Sequence, residues 1–326
     1  MPHSGFRNRH KHDCVDLLRR SEANPLLTAR DWPYPANSVF NPGAVLLPDG
    51  DTLLLARVED RRGFSHLTAA RSRDGLSHWR IDPRPTIVPD PENYPEELWG
   101  IEDPRLVWMA ELENFAVTYT AFSAGGPLIS LALTRDFLEF ERKGPIMPPA
   151  DKDGALFPRR FGGRWALLHR PMPASADEAA NIWISFSPDL KHWGDHQVVM
   201  HARRGGWWDA GRIGLSVPPL ETSEGWLIVY HGVRHTPAGC LYRLGLALLD
   251  LEEPTRVLRR GEEWVFGPEA DYEQMGDIPG VVFPCGCTVA PDSETIRLYY
   301  GAADSAIAMA EGRISELLGW LGERST

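Results

Sequence analysis

Cysteine is scarce in this chain, with four in 326 residues, at Cys14, Cys240, Cys285 and Cys287. Met1–Asp13 is polar and His-rich and lacks the apolar core of a secretory signal. Reduced thiols in the cytoplasm are therefore expected rather than a disulfide framework. Cys285-Gly286-Cys287 has no second Cys or His pair at ligand spacing, so it reads as two small strand residues and no metal site is expected. No apolar run is long enough to cross a bilayer. Lys and Arg form no long run, and the net charge is −11, so nucleic acid and anionic membranes would be repelled rather than bound. No linker divides the sequence. One domain over residues 1–326 is expected, with 1–15 flexible.

What the sequence does have is apolar and turn-rich. Hydrophobic residues make up 43%, and Trp (12), Pro (28) and Gly (30) are plentiful. Aromatic residues suit pleated, half-buried surfaces, and Gly and Pro punctuate turns, so many short strands are expected. One pattern recurs. Ser72-Arg73-Asp74-Gly75-Leu76-Ser77-His78-Trp79 is echoed by Thr134-Arg135-Asp136-Phe137-Leu138-Glu139-Phe140, by Ser187-Pro188-Asp189-Leu190-Lys191-His192-Trp193, and more loosely by Leu249–Pro254. The aspartates at 74, 136, 189 and 250 stand 62, 53 and 61 residues apart. Each copy follows an apolar strand-like run, at His66–Ala70, Ile129–Leu133, Ile182–Phe186 and Leu244–Leu248. A period of this size with several strands per unit suits propeller blades. Four units plus Val281–Val289 and Thr295–Tyr300 make a five-bladed all-β propeller. A β-sandwich with coincidental turns is the competing fold. Ala306–Leu321 has the spacing of an amphipathic helix packed outside, and Asp16–Arg20 of a short helical turn.

Charged residues in otherwise apolar stretches are the candidates for chemistry. Trp99-Gly100-Ile101-Glu102-Asp103-Pro104-Arg105 sets two acids beside an aromatic residue. An aromatic wall would raise the carboxyl pKa towards proton donation near neutrality, and Pro104 would hold Asp103 extended. Asp-Pro is equally a common turn starter. Arg57, Arg170 and His231 cap apolar strands at comparable places, and Arg212 follows Trp207-Trp208-Asp209-Ala210-Gly211. Each alone reads as an ion-pair partner. Four cations together in an acidic protein point to an anion pocket, where the planar Arg fork suits phosphate. Asn41, Glu59, Asp60, His66 and Asp304 form a third, hydroxyl-binding group, although turn contexts also explain several of them.

Taken together, these strings resemble glycoside hydrolase family 130, the β-mannoside phosphorylases, from about Asn24 to Leu321. The matching strings are Phe40–Ala44, Arg57–Gly63, Ser65–Thr68, Gly100–Arg105 and Leu156–Pro158. They continue with His169–Pro171, Tyr230–Val233, Val282–Gly286 and Tyr299–Asp304. The resemblance implies a five-bladed propeller that cleaves β-mannosides with inversion, using inorganic phosphate to give α-mannose 1-phosphate, with no cofactor. It implies Asp103 as the single catalytic acid. Arg57 or its neighbours, Arg170, Arg212 and His231 would be phosphate ligands, and Asn41, Arg57, His66 and Asp304 would contact the mannoside. Many members carry Lys-Ile-Gly where this chain has Arg212-Ile213-Gly214, which keeps the cation but changes its geometry.

Two other readings remain. A hydrolase on the same scaffold would need a carboxylate base, with Glu59, Asp60 and Asp209 as candidates. A non-catalytic carbohydrate-binding propeller would leave the basic cluster unexplained. The acceptor sugar is not legible, and the Trp207-Trp208 pair, expected to be exposed, suits either an acceptor platform or a contact in a homo-oligomer.

Overall fold

The recurring aspartate turn has one structural role in the computed structural model, which describes residues 17–173, 175, 178–237 and 239–325. Asp74 Oδ1 accepts the N–H groups of Leu76 and Ser77, each at 2.8 Å. Asp136, Asp189 and Asp250 repeat the pattern with the second and third residues after each of them. The residue after the aspartate is left-handed in three copies, at Gly75, Phe137 and Leu190. A side chain that satisfies two turn N–H groups makes a tight reversal favourable. Every copy joins the third strand of a sheet to its fourth.

The sheets are five antiparallel blades in chain order. The first contains Ser38–Leu46, Thr52–Glu59, Ser65–Ser72 and Arg80–Ile81. The second contains Ile101–Met109, Asn114–Ser123, Gly126–Thr134 and Glu141–Pro145. The third contains Asp151–Leu156, Trp165–Pro171, Ile182–Ser187 and Gly194–Met200. The fourth runs Arg212–Leu215, Gly225–Thr236, Gly239–Leu249 and Val257–Arg260. The fifth takes Val282–Val289, Thr295–Ala302 and Ala306–Arg313 from one end of the chain and Leu18–Arg20 from the other, with Leu18 opposite Gly312 and Arg20 opposite Ala310. That closure explains why the turn occurs four times for five blades. The fifth blade receives its outer strand from the N-terminal side and needs no third-to-fourth turn.

The first strands of the fifth, first, second, third and fourth blades pack against one another in turn around the axis. Between each adjacent pair of blades lies a buried apolar cluster. Trp226 and Phe157, for example, meet edge to face at 5.0 Å between the third and fourth blades.

Two local expectations are corrected. Leu18–Arg20 is a strand, not a helical turn, and Ala306–Arg313 is a strand, with only Ile314–Glu323 helical. Ala306, Ile307, Ala308, Met309 and Ala310 are all buried. A strand covered on both faces shows no alternation, and its small residues imitate a helix pattern until its neighbours are known. The short helix does pack outside, through Leu317, Leu318 and Leu321. Expectations for residues 1–15, Cys14 among them, and for Asp16 lie outside the described residues.

Arg20 fastens the closing strand. Its guanidinium meets both carboxylate oxygens of the fully buried Glu273 at 2.9 Å, and Tyr300 donates to the same carboxylate at 2.7 Å. Replacing Arg20 with Met leaves that carboxylate without its cation. The expected loss is about 3–5 kcal/mol, measured by urea unfolding, with Arg20→Lys losing less.

Candidate active site

The axis is built on three irregularities of the innermost strands. Pairing slips between Phe40 and Gly43, between Glu102 and Arg105, and between Lys152 and Ala155. Each slip contains a left-handed polar residue: Asn41 (φ 45°), Asp103 (φ 52°) and Asp153 (φ 59°). A bulge adds a residue and redirects its side chain, and Asn and Asp tolerate this conformation better than other side chains. Asp103 is therefore not held extended by Pro104, because the bulge overrides the local preference.

Asp103 lies at the centre of the acidic half. Its Oδ1 accepts from Asn41 Nδ2 at 2.9 Å and from Arg57 Nη1 at 3.2 Å. Arg57 also pairs with Glu102 at 3.3 Å and Glu59 at 3.5 Å, donates to Ser65 Oγ at 2.9 Å, and lies 4.5 Å above the Phe40 ring. Lys152 bridges to Glu102 at 3.2 Å. Burial works to raise the Asp103 carboxyl. Arg57, Lys152, the Asn41 hydrogen bond and Arg105 outweigh it and hold the group below the usual carboxylate range. The expected aromatic elevation is not found, since Trp99 is 42% exposed and packs on Phe122. Asp304 behaves in the opposite way. Burial first, then the negative charge of Asp103, push it up to about 7 against the pull of Arg57.

The basic half is centred on Asp153, a residue the sequence reading missed. Arg170 Nε donates to its carboxylate at 2.5 Å, and His231 Nε2 and Arg105 Nη2 each stand 3.5 Å from it. Arg212 donates to the Tyr242 hydroxyl. Arg170, Arg105 and Arg212 all act electrostatically on His231, so these groups share one region. Burial, with those three guanidinium groups, lowers His231 to about 3 even though Asp153 opposes them. His231 is thus a neutral ring, not a cation, at the edge of an arginine pair. Its Nδ1 and the Oδ1 of Asn41 are buried without a partner among the described residues. Gly214 allows this convergence, because a Cβ there would collide with both Asp153 and His231. Behind Arg170, Asp151 accepts its backbone N–H at 3.1 Å and takes His169 Nδ1 at 2.6 Å, and His169 continues through Ser185 to His196.

Arg105 joins the halves. It is 1% exposed, lies 3.3 Å from the Asp103 carbonyl, and also donates to the carbonyls of Ser216 and Leu215. The structure therefore unites Asn41, Arg57, Asp103 and Asp304, and separately Arg170, Arg212 and His231. His66 is bonded to Tyr34 at 2.9 Å in a cleft with Asp60, and among the described residues it makes no hydrogen bond to Asp103. Of the proposed hydrolytic bases, Glu59 pairs with Arg57 beside Asp103, Asp60 is bound to Arg62, and Asp209 is fully buried between Arg203 and Arg260. Trp207 is exposed, whereas Trp208 is buried on Tyr230. The missed residues are Asp153, Lys152, Arg105 and Tyr242. The available signal for Asp153 was its Asp-Gly, matching Asn41-Pro42-Gly43 and Asp103-Pro104 at the same place in the neighbouring blades. Among the described residues no group of three or more His, Cys, Asp or Glu could hold a metal ion.

Comparison with known proteins agrees with this architecture. Over 319 residues the chain is 34% identical to a beta-1,4-mannooligosaccharide phosphorylase of Ruminococcus albus, covering 96% of this chain and 93% of that one. It is 35% identical to a 1,2-beta-oligomannan phosphorylase of Thermoanaerobacter over 91% of this chain and 97% of the other. Among solved structures, the beta-1,2-mannobiose phosphorylase of Listeria innocua in complex with beta-1,2-mannobiose superposes with a TM-score of 0.85 at 32% identity, covering 94% of this chain and 99% of that chain. The family model for beta-1,4-mannooligosaccharide phosphorylase, glycoside hydrolase family 130, matches residues 8–323, and the chain belongs to that family.

Proposed function

We propose that this protein phosphorolyses β-1,4- or β-1,2-linked manno-oligosaccharides with inversion, releasing α-mannose 1-phosphate. The observation that carries the reading is that the single guanidinium of Arg105 ties the backbone carbonyl of Asp103 to Asp153, the carboxylate at the centre of an arginine cradle. Inverting hydrolysis requires a second carboxylate to activate water. Phosphate is already a charged nucleophile and needs no base, only cations that hold it in line. Asp60 and Asp209 are committed to arginines elsewhere, and Glu59 shares the Arg57 guanidinium with Asp103, which argues against hydrolysis.

In the proposed reaction Arg170 and Arg212 hold phosphate, with His231 as a neutral hydrogen-bonding partner. A phosphate oxygen forms the new bond to C1 as the glycosidic C1–O bond breaks on the opposite face. The leaving oxygen takes a proton delivered by Asp103. Hydrogen phosphate brings one proton and leaves as the dianionic ester, so the exchange balances. Asn41, whose Oδ1 has no partner among the described residues, would accept from a mannose hydroxyl, and Arg57 would donate to one. His66 would contact the more distant part of the mannoside. No cofactor beyond the phosphate co-substrate is invoked. Cys240, Cys285 and Cys287 are unbridged, which supports the proposed cytoplasmic location, and no helix among the described residues is long and apolar enough to cross a membrane.

Phosphorus NMR of enzyme with manno-oligosaccharide should show α-mannose 1-phosphate only when phosphate is added. Free mannose released equally fast without phosphate would overturn the reading. Asp103→Asn should lower kcat about 10²–10⁴-fold while circular dichroism stays unchanged. Arg212→Ala should raise KM for phosphate about 10–100-fold and leave KM for the mannoside nearly constant, with Arg212→Lys recovering part of the loss.

A further inference from the structure

A line of hydrogen bonds crosses the third blade, with one side chain from each of its four strands. Asp151 on the innermost strand takes His169 Nδ1 at 2.6 Å, and His169 Nε2 meets Ser185 Oγ at 2.7 Å. Ser185 Oγ in turn meets Nδ1 of His196, on the outermost strand, at 2.7 Å. Asp151, His169 and Ser185 are at most 3% exposed, whereas His196 opens to solvent. The first and third blades align at their bulges. Phe40 pairs with Arg57 just before one, and Lys152 pairs with Arg170 just before the other. At the places of Asp151, His169 and Ser185 the first blade carries Val39, Ala56 and Ala70, all fully buried. The fold therefore does not require polar groups there. Burying them costs free energy unless each is bonded, and an apolar line avoids that cost. The polar line occurs in the blade that supplies Arg170 to the basic half of the site.

The inner end of the line acts on Arg170. Asp151 Oδ1 accepts the main-chain N–H of Arg170 at 3.1 Å, while Oδ2 takes the His169 ring. At the far end of the residue, Arg170 Nε donates to Asp153 at 2.5 Å. One carboxylate thus grips the main chain and another the guanidinium. Among the described residues the two Nη groups of Arg170 make no hydrogen bond, which leaves them for an anion. The grip on the main chain depends on how the Asp151 carboxylate is turned. A carboxylate only accepts, so the proton of this contact lies on His169 Nδ1. With that donor at Oδ2, the carboxylate is fixed in the orientation that also serves the Arg170 N–H.

We propose that His169 is a positioning residue for phosphate. It holds Asp151 on the Arg170 main chain and so fixes where that guanidinium meets the anion, while touching neither substrate itself. The proposal rests on the phosphorolytic reading, which supplies the anion. Positioning matters because a displacement of about 1 Å in a group that aligns the nucleophile lowers the rate by as much as about 100-fold.

Two amide substitutions separate positioning from filling of the core. An Asn side-chain nitrogen falls near the place of the ring Nδ1, and a Gln nitrogen near that of Nε2. His169→Asn therefore keeps the donor to Asp151, whereas His169→Gln reaches only Ser185. His169→Gln should raise KM for phosphate about 10–100-fold and change KM for the mannoside less than about threefold. His169→Asn should stay within about fivefold of the native enzyme for both. Packing alone predicts the opposite order, because Asn leaves the larger void. In nitrogen-15 NMR spectra the Arg170 main-chain amide should shift in His169→Gln and keep its native position in His169→Asn. The native His169 ring should carry a proton on Nδ1. Equal effects of the two substitutions, losses as large for the mannoside as for phosphate, or an Nδ1 without a proton would overturn the proposal. The ring measurement uses native protein and decides the matter even if His169→Gln does not fold. Calorimetry with inorganic phosphate alone keeps the two readings apart. Native protein that binds no phosphate and forms no mannose 1-phosphate would sink the phosphorolytic reading, while the Arg170 amide still reports whether His169 controls that residue.

Discussion

The guanidinium of Arg105, almost completely withdrawn from water, is the constraint on which the centre of this propeller depends. It reaches the Asp103 carbonyl in its own blade, the Asp153 carboxylate in the next, and the carbonyls of Leu215 and Ser216 in the one after. A buried charge is tolerable only when it is paired and fully hydrogen-bonded. Three blades must therefore close to a fixed spacing for Arg105 to be satisfied. That spacing also sets the separation between the acid at Asp103 and the cradle around Asp153.

Electrostatic asymmetry follows from the same frame. Asp153 lies within the cradle and offsets part of its positive charge, so Arg170, Arg105 and Arg212 can converge without an anion bound. Burial and these cations keep His231 neutral. A neutral ring beside two arginines can accept from a phosphate hydroxyl, which a protonated ring, a donor at both nitrogens, cannot do. On the acidic side, four carboxyls compete for Arg57. Asp103 takes the closest contact through the bulge, and among the described residues Asp304 makes no ion pair with Arg57. Pre-arranged fields of this kind need no reorganisation when charge develops during reaction.

Local preferences give way wherever the closure of the ring requires it. Pro104 favours an extended Asp103, yet the inner strand slips there and the residue turns left-handed. Ala303 has no intrinsic reason to adopt a positive φ, but the segment from Ile278 to Val281 clamps it. The same competition operates in Ala306–Arg313, where the small apolar residues Ala306–Ala310 match a helix in isolation and become a buried strand once the sheet assembles.

The five-bladed architecture was legible in the sequence because each aspartate turn is local, its side chain satisfying N–H groups two and three residues away. Asp103, Arg57, Arg170, Arg212 and His231 stood out as candidates for a similar reason, as polar residues interrupting apolar runs. Asp153 and Arg105 were not, because their role depends on partners 48 to 111 residues distant. Protonation was illegible for the same reason. The sequence sets two acids near a Trp, but whether a carboxyl at the axis is stabilised as an anion depends on whether Arg57 and Asn41 can reach it, as they do Asp103. That choice is made only when separate blades meet at the axis, since the energy of a buried charge is set by neighbours in space rather than along the chain.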